Sequence, residues 1–460
     1  MKPRKAPLAS DNRDRLSDLP YALILKILSF IDMRSVIRNS ILSKRWRYIW
    51  KSLPTLNFNS NDIYQNSSRN FHIREDGIIH FIYQVLALRE KSIQRLDIVI
   101  EHIESNFEDR LYSWILVAVE CNVQELSIEI CDNQKIDIPD CLFTCSSLTK
   151  FELTVNGRHN YGKIFLPDVI DLPRIKCLKL EGLGFKDEEL TDEFFLNCPN
   201  LESLTIVDTY IEFDICCPTL EVFILEFNDK RSPMTRQSRY GHLISQRKTW
   251  CGSNTIRLSA PKLTFLRCKG MISEDNILED LSSLKTTDIE IKLLEDMDWY
   301  YNVVDEECSG LSAETEEFGK LMVNFLNALR NVKFLTLSHR VLEIISNAPD
   351  LLQSRPQLFH KPQDMTLGTC LSPDCLPGLT YLMKISPNIK TLSLVLDTER
   401  LDEIAEELSC DEFLFTKVPV LDEVHLTYPR FQCPSDRERM EFFDKLSVLP
   451  ADTPSMTIIF

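Results

Sequence analysis

A six-residue pattern recurs along most of the chain and restricts its fold more than any other feature. The pattern is an apolar residue, two variable residues, an apolar residue, one variable residue and a last apolar residue. Its alternating second half predicts a strand with inward apolar side chains, and its first residue anchors the incoming chain to the core. Ten clear copies begin at Ile93, Val123, Leu148, Ile175, Leu201, Leu220, Leu263, Val332, Ile389 and Leu421, and two weaker copies begin at Leu284 and Pro362.

The spacing of these copies predicts a repeat architecture. The first six copies are separated by 30, 25, 27, 26 and 19 residues, close to the roughly 20 to 29 residues of leucine-rich repeats. Amphipathic helices are predicted between the strands, for example over 78–88, 111–119 and 318–329. Strands inside and helices outside predict a curved α/β solenoid over residues 61–375. The alternative, a doubly wound sheet, would need fewer copies and more glycine at the strand ends.

Two charged segments interrupt the repeats, and an atypical segment follows them. Within residues 227–257, the stretch from 230 to 248 carries six Lys and Arg and no carboxylate, and residues 294–317 are acidic. Both are predicted to be inserted loops facing solvent. Residues 376–460 keep two copies, add a charged helix near 437–446, and are predicted to cap the open end of the array.

The charge distribution separates an amino-terminal head from the repeats. Residues 1–58 hold 12 Lys and Arg against 4 Asp, a net charge of +8. Because the whole chain has a net charge of −17, the other 402 residues have a net charge of −25. The acidic part is unsuited to general binding of nucleic acid. We expect residues 1–13 to be a basic flexible terminus and residues 14–60 to be a separate domain of three short helices.

The head has more apolar side chains than a unit of its size can bury. Apolar residues recur at helical spacing in three runs, which are Leu23, Ile24, Ile27, Leu28 and Ile31, then Met33, Val36, Ile37 and Ile41, then Trp46, Ile49 and Trp50. A unit of about 40 residues seldom builds a sufficient core alone. Part of this apolar surface is therefore expected to pack against a partner protein. The alternative is that Trp46 and Trp50 only close an internal core.

The same residues resemble a known domain. The run Leu19-Pro20, followed by ILKILSF and SILSKRWRYIW, resembles the F-box, and its last part is similar to the plant F-box and leucine-rich-repeat group. Residues 376–460 resemble, more weakly, the FBD-type region that follows such repeats in plants. Two departures are that Ile31-Asp32 stands where Leu-Pro is usual, which is expected to loosen the turn, and that Ile49 replaces a leucine.

The resemblance implies a function in ubiquitin transfer. It implies that the head docks on the Skp-type adaptor of an SCF ubiquitin ligase, and through it on a cullin scaffold, while the repeats bind an unknown target protein. Two alternatives are a non-ligase interaction scaffold and a small-molecule-gated leucine-rich-repeat receptor. DNA binding by Arg45 and Arg47 is disfavoured, since polar base-reading residues are missing. The adaptor contacts implied by the resemblance are Leu19, Pro20, Ile24, Ile27, Leu28, Leu42, Trp46 and Trp50.

Variable side chains between the inward apolar residues are the candidates for target binding. They are expected on the exposed face of the strands, because successive side chains of a strand point to opposite sides. A merely solvated sheet face is the alternative. The candidates are Ser127, Glu129, Glu152, Lys179, Thr205, Arg267, Thr336, Ser393 and His425.

Motifs that support catalysis or cofactor binding are absent from the sequence. It contains no GxGxxG, GxxxxGK, GxSxG or HExxH, so we expect neither an enzyme nor a bound cofactor or metal. The 15 cysteines are odd in number and include no CxxC, which favours small buried thiols in a reducing compartment. Without a long apolar run or a secretory segment, we expect a cytoplasmic or nuclear location and no membrane partner.

Overall fold

The computed structural model contains two compact units, formed by residues 1–132 with 137–153 and by residues 133–136 with 154–460. Both are built on parallel strands. The charged helix near 437–446, the acidic insert and nearly all of the basic insert lie outside the described residues. The structure describes residues 19–41, 44–60, 72–89, 92–100, 107–131, 135–136, 138–156, 162–164, 169–185, 194–209, 213–227, 256–270, 277–291, 322, 325–348, 358–369, 375–396, 423–427 and 455–459.

Six α-helices lie wholly within these residues, and four of them precede residue 121. Helices α1 and α2 belong to the predicted head, and α3 and α4 extend the predicted helices at 78–88 and 111–119. Of the predicted helix at 318–329, residues 322 and 325–329 are described; residues 322 and 325–328 are helical, and Leu329 lies in a turn. The helices are α1 (Tyr21–Leu28), α2 (Met33–Asn39), α3 (His72–Ala87), α4 (Phe107–Glu120), α5 (His339–Ser346) and α6 (Leu376–Ile385).

The third predicted helix of the head is not an α-helix. Residues 44–48 form turns and Ile49–Ser52 form a short 3-10 helix. The amides of Ile49, Lys51 and Leu53 each bond to the carbonyl three residues earlier. Aromatic and β-branched residues are weak α-helix formers, and Pro54 cannot continue a helix because it has no N–H. The tighter 3-10 turn leads directly into the first strand.

The turn between α1 and α2 is held by a side chain. Asp32 stands where the resemblance leads us to expect proline, and its Oδ1 accepts a hydrogen bond of 2.9 Å from the backbone N–H of Ser35. This is a helix N-cap, which is worth about 1 kcal/mol. The expected loosening of this turn is therefore opposed by a cap that fixes the start of α2.

Twenty strands are described, and twelve of them coincide with the repeated pattern. Every one of the twelve begins two residues after the first residue of its copy, the weaker copies at Leu284 and Pro362 included. The strands are β1 (Thr55–Asn59), β2 (Arg95–Ile100), β3 (Glu125–Ile130), β4 (Lys135–Ile136), β5 (Lys150–Val155), β6 (Gly162–Ile164), β7 (Cys177–Glu181), β8 (Leu183–Phe185), β9 (Ser203–Val207), β10 (Phe213–Cys216), β11 (Val222–Glu226), β12 (Ile256–Ser259), β13 (Phe265–Gly270), β14 (Ile277–Glu279), β15 (Thr286–Ile291), β16 (Phe334–Leu337), β17 (Asp364–Thr369), β18 (Thr391–Leu396), β19 (Glu423–Thr427) and β20 (Ser455–Ile459).

The first residue of each copy is an anchor, as predicted. All eleven anchors whose side chains are described are buried. Many are preceded by a turn in which the anchor amide bonds to the carbonyl three residues earlier, as Leu201 does to Cys198 and Leu263 does to Ala260. Proline occupies the second position of several of these turns, where its fixed φ fits. The prolines therefore shape the turn into each strand.

The first unit places the head against its sheet. Strands β1, β2 and β3 pair in parallel and in chain order, with Leu56, Leu96 and Leu126 in register. Helix α2 contacts β1, and α3 contacts α4. Strand β5 starts in this unit, where the amides of Thr149 and Lys150 donate to the carbonyl of Gln124.

The second unit contains ten parallel strands in chain order. Their order is β7, β9, β11, β13, β15, β16, β17, β18, β19 and β20. Two smaller parallel sheets, β4-β6-β8 and β10-β12-β14, complete the unit. Gly182 separates β7 from β8 with a φ of 73°, a conformation that glycine adopts without a steric penalty. This bend allows two consecutive strands to join different sheets.

Candidate protein-interaction surfaces

The head has a compact interior built from one side of each helix. Ile24 and Leu28 of α1 and Met33 and Val36 of α2 are at most 1% exposed, and Trp46 is 6% exposed. These positions follow the i, i+3 and i+4 spacing of a helix face. Among the predicted adaptor contacts, Ile24, Leu28 and Trp46 thus lie inside the head.

A second set of apolar side chains on the head remains exposed. Six of the thirteen large exposed apolar side chains in the described residues fall between positions 21 and 48. This concentration distinguishes the head from the rest of the described chain. We call this set the head surface, and it consists of Tyr21, Leu23, Ile27, Phe30, Ile41 and Tyr48.

Of the other predicted adaptor contacts, Ile27 belongs to the head surface, and the rest lie near it in sequence. Pro20 and Ile27 are exposed, Leu19 and Trp50 are half-buried, and Leu42 lies outside the described residues. Arg45 Nη2 donates a 2.7 Å hydrogen bond to the carbonyl oxygen of Leu19. The turns after α2 are therefore tied to the residue that precedes α1.

Basic side chains accompany the aromatic members of the head surface. Lys26 Nζ lies 5.3 Å from the ring centre of Phe30, and Lys51 Nζ lies 5.9 Å from those of Tyr48 and Trp50. Cation–π contacts of this kind stabilise exposed pairs by about 0.5–1 kcal/mol. The head surface is consequently apolar with a basic margin.

Six predicted target contacts form one row across the second unit. Strand pairing aligns Lys179, Thr205, Arg267, Thr336, Ser393 and His425 at equivalent positions, together with Ile224, Asp288, Thr366 and Thr457. Neighbouring buried leucines such as Leu178 and Leu266 point to the opposite side. In the first unit, Ser127 and Glu129 lie on β3 and Glu152 lies on β5, all half-buried. That these residues contact a target stays a prediction.

Apolar side chains on the same strands were not predicted as contacts. Val222 and Phe265 are paired in register, each two residues before the row that contains Ile224 and Arg267. Phe334 occupies the same position two strands beyond Phe265. Phe334 is 47% exposed. The third position of the pattern is polar or charged in most copies, so phenylalanine at 265 and 334 is the signal that could have identified them.

Opposite charges alternate beside these phenylalanines. Arg267 Nε lies 3.0 Å from Glu226 Oε1 and 3.5 Å from Asp288 Oδ2, and Lys269 Nζ lies 2.9 Å from Glu290 Oε2. Burial raises the pKa of the Asp288 carboxyl, and Arg267 opposes that shift. The strand face from β11 to β16 therefore combines exposed aromatic surface with paired charges, a composition typical of protein interfaces. We call Val222, Ile224, Phe265, Arg267, Asp288 and Phe334 the strand face.

Two of the buried cysteines, Cys198 and Cys217, have thiols that resist ionisation. Cys198 Sγ donates to the carbonyl of Phe194 over 3.3 Å. Burial raises the pKa of the Cys198 thiol and that of the Cys217 thiol to about 12. Both thiols stay protonated at neutral pH, and a thiol reacts as a nucleophile only when ionised.

The helices of the described residues carry no membrane-spanning segment, because none of them is long and apolar enough to cross a bilayer. Among the same residues, no group of three or more His, Cys, Asp and Glu side chains is arranged to hold a metal ion.

Comparison with known protein families identifies two domains. Residues 16–58 match the F-box domain, and residues 111–285 match the family described as FBD-associated F-box protein At5g56370, LRR repeats. The first match covers the helices of the head, and the second covers strands β3 to β14 together with most of α4. The resemblance predicted from the sequence is confirmed.

Similar proteins from Arabidopsis thaliana extend over most of the chain. The putative F-box/FBD/LRR-repeat protein At4g13965 is 26% identical over 78% of this chain and 76% of its own length. The F-box/FBD/LRR-repeat protein At2g26030 is 24% identical over 83% of this chain and 79% of its own length. The FBD-associated F-box protein At3g52670 is 30% identical over 45% and 47%, respectively. F-box and LRR domains together imply a protein-interaction adaptor.

Proposed function

We propose that this chain, which carries an F-box and is similar to plant F-box/FBD/LRR-repeat proteins, is the substrate-recognition subunit of an SCF-type ubiquitin ligase. The observation that carries the proposal is the head surface, where six large apolar side chains are exposed on an otherwise packed domain. Such a surface fits a groove on a partner protein. The proposed partner is a Skp-type adaptor, which connects the head to a cullin scaffold.

The buried and exposed sets of the head have different parts in this binding. Pro20, Ile27 and the other exposed side chains would contact the adaptor directly. Ile24, Leu28 and Trp46 would act indirectly, since they are buried and hold α1 in place. Leu19 and Trp50 are half-buried, and we propose them for the margin of the interface.

The proposed mechanism is proximity without bond chemistry by this chain. Holding a target beside a ubiquitin-charged enzyme raises the effective concentration of the target lysine. Cys198 and Cys217, whose thiol pKa burial raises to about 12, would take no part in the transfer. The protein would therefore be a non-catalytic receptor subunit.

We further infer that residues 61–375 form a leucine-rich-repeat solenoid between an F-box at 14–60 and an FBD-like cap at 376–460. Support comes from the parallel strands, which follow chain order within each unit. Further support comes from the constant offset between each anchor and its strand. Stacking of identical units in chain order is the defining property of such repeats.

Removing the head surface should abolish adaptor binding while the fold is retained. The triple substitution Leu23→Ser, Ile27→Ser and Phe30→Ser changes exposed side chains only. We expect the affinity of the full chain for a purified Skp-type adaptor to fall at least about 100-fold, because clustered apolar contacts dominate such interfaces. Calorimetric titration measures this change, and the melting temperature should remain unaltered.

A matched variant controls for the loss of apolar surface as such. Tyr83→Ser with Leu88→Ser removes a side chain of α3 and one directly after it, which are similarly exposed at 50% and 52%, and adaptor affinity should stay unchanged. Failure of the native chain to bind the adaptor would contradict the ligase assignment and favour a scaffold for another partner.

We propose the strand face as the target-binding surface. Phe334 is its most exposed aromatic side chain, and buried aromatic anchors are frequent hot spots of interfaces. Phe334→Ser should lower the recovery of target proteins about tenfold in proximity labelling of proteasome-inhibited cells. Leu358→Ser is the control, since Leu358 is 46% exposed and is outside the strands. Equal losses in both variants would exclude a specific part for Phe334.

A further inference from the structure

A cavity of about 580 Å³ lies in the second unit where the chain leads into strands β16, β17 and β18. Its polar lining consists of Lys333, His360, Lys361, Gln363, Asn388 and Lys390. No carboxylate belongs to this lining, although the chain as a whole carries a net charge of −17. We call this site the lysine cavity.

The repeat register brings these basic residues together. Lys333, Gln363 and Lys390 each stand directly before a strand, at the same position of three successive copies. The carbonyl of Lys333 accepts hydrogen bonds from the amides of Gln363 and Asp364, and the carbonyl of Gln363 accepts them from Lys390 and Thr391. Strands lie about 4.8 Å apart, so the backbones of the two lysines are about 10 Å apart.

The rim of the cavity is also fixed. Asn388 Nδ2 donates a 2.7 Å hydrogen bond to the carbonyl of His360, and the carbonyl of Gln363 is held by the ladder described above. The basic side chains therefore project from a backbone whose hydrogen bonds define its position. The polar side chains of the lining are all exposed, so an incoming ligand can reach them directly.

In earlier copies, the residue directly before the strand has an oppositely charged neighbour. At the equivalent position, Lys176 is followed in the next copy by Glu202, and the Lys176 Nζ to Glu202 Oε1 distance is 2.6 Å. In the later copies the position is held by Lys285, Lys333, Gln363 and Lys390. Lys285, Lys333 and Lys390 make no ion pair with any other residue that the structure describes.

The unbalanced lysines point to an anion. Lys333 and Lys390 are like charges about 10 Å apart, with Gln363 between them on the intervening strand, and a bound anion would offset their repulsion. Lysine presents a compact charge with three donors, which suits phosphate oxygens. The volume is within the range of about 300–1,000 Å³ that is typical of ligand sites.

We propose that the lysine cavity binds a ligand that bears phosphate groups, either on a small molecule or on a phosphorylated side chain. Lys333, Lys361 and Lys390 would pair with the phosphate oxygens, and Gln363 would donate through its amide. The proposal is independent of adaptor binding, because it uses only residues of the second unit.

Calorimetric titration of the full chain in 150 mM salt tests the proposal with three probes. These are sodium tripolyphosphate, a neutral peptide with one phosphoserine, and the same peptide without phosphate. At least one phosphate-bearing probe should bind with a stoichiometry of one, and the unmodified peptide should not. Tighter binding of tripolyphosphate indicates a small-molecule ligand, and tighter binding of the phosphopeptide indicates a modified protein.

Paired substitutions decide whether the lysine cavity is the site. Lys333→Gln with Lys390→Gln should weaken binding at least about tenfold, and Lys333→Arg with Lys390→Arg should preserve most of it. Lys176→Gln with Lys262→Gln removes the same charge from residues outside the cavity and should leave affinity unchanged. Melting temperatures without ligand verify folding. The proposal is overturned if neither phosphate probe binds, or if both glutamine pairs weaken binding equally.

Discussion

Trp46→Ala is expected to lower the free energy of unfolding of the first unit by about 3–5 kcal/mol, the usual cost of removing a buried tryptophan. Trp46 is 6% exposed, and the α1 and α2 side chains Ile24, Leu28 and Met33 are buried in the same head. Its removal leaves a cavity in a domain of few residues, so the head should unfold locally. Urea titration followed by circular dichroism, with hydrogen exchange of the α1 amides, measures the loss.

The substitution should also lower adaptor affinity, but only because the head surface is no longer held in place. Tyr48→Ala is the matched control, since Tyr48 is an aromatic residue of the same segment and is 63% exposed. Its cation–π contact with Lys51 limits the expected change in stability to about 1 kcal/mol, while adaptor affinity should fall. If Trp46→Ala weakened adaptor binding without changing the unfolding free energy, Trp46 would belong to the interface itself.

The head shows why its interface was only partly predictable from sequence. Helix α1 reads YALILKIL, and apolar residues surround most of its circumference. Helical spacing alone cannot then say whether Ile24 and Leu28 or Leu23 and Ile27 face the core. Packing decides this, and it buries the first pair and exposes the second.

The repeat strands were predictable because each copy contains its own physical constraint. An anchor such as Leu201 must be buried, and the alternation after it fixes which side chains follow it inward. The short strands of the smaller sheets carry no such pattern. β14, for example, has three residues, which is too short for alternation to be recognised.

The lysine cavity could not be predicted from any local pattern. Lys333, Gln363 and Lys390 are separated along the chain by about thirty residues, and each is unremarkable in its own copy. They become neighbours only through the parallel register of β16, β17 and β18. The sequence signal is visible only after the copies are aligned, when three lysines fall at one position in four successive copies.

Gly378→Ala is expected to destabilise the second unit by about 2–3 kcal/mol, although helix propensity alone would favour alanine by about 1 kcal/mol. Gly378 lies in α6 where this helix packs against α5. A Cβ at this position would overlap the backbone carbonyl oxygen of Leu342 and lie 2.9 Å from Ser346 Oγ. The Gly378 amide also donates a 2.7 Å hydrogen bond to that hydroxyl, so the two helices cannot separate without losing it.

The sign of the measured change distinguishes the two effects. Denaturant titration of Gly378→Ala should show a lower unfolding free energy, and Lys384→Ala on the exposed side of the same helix should change it by less than about 0.5 kcal/mol. A gain in stability for Gly378→Ala would mean that α5 and α6 do not approach closely. Since α6 ends at Ile385, shortly before the cavity-lining residues Pro387 and Asn388, a shift of this pair should also weaken phosphate binding at the lysine cavity.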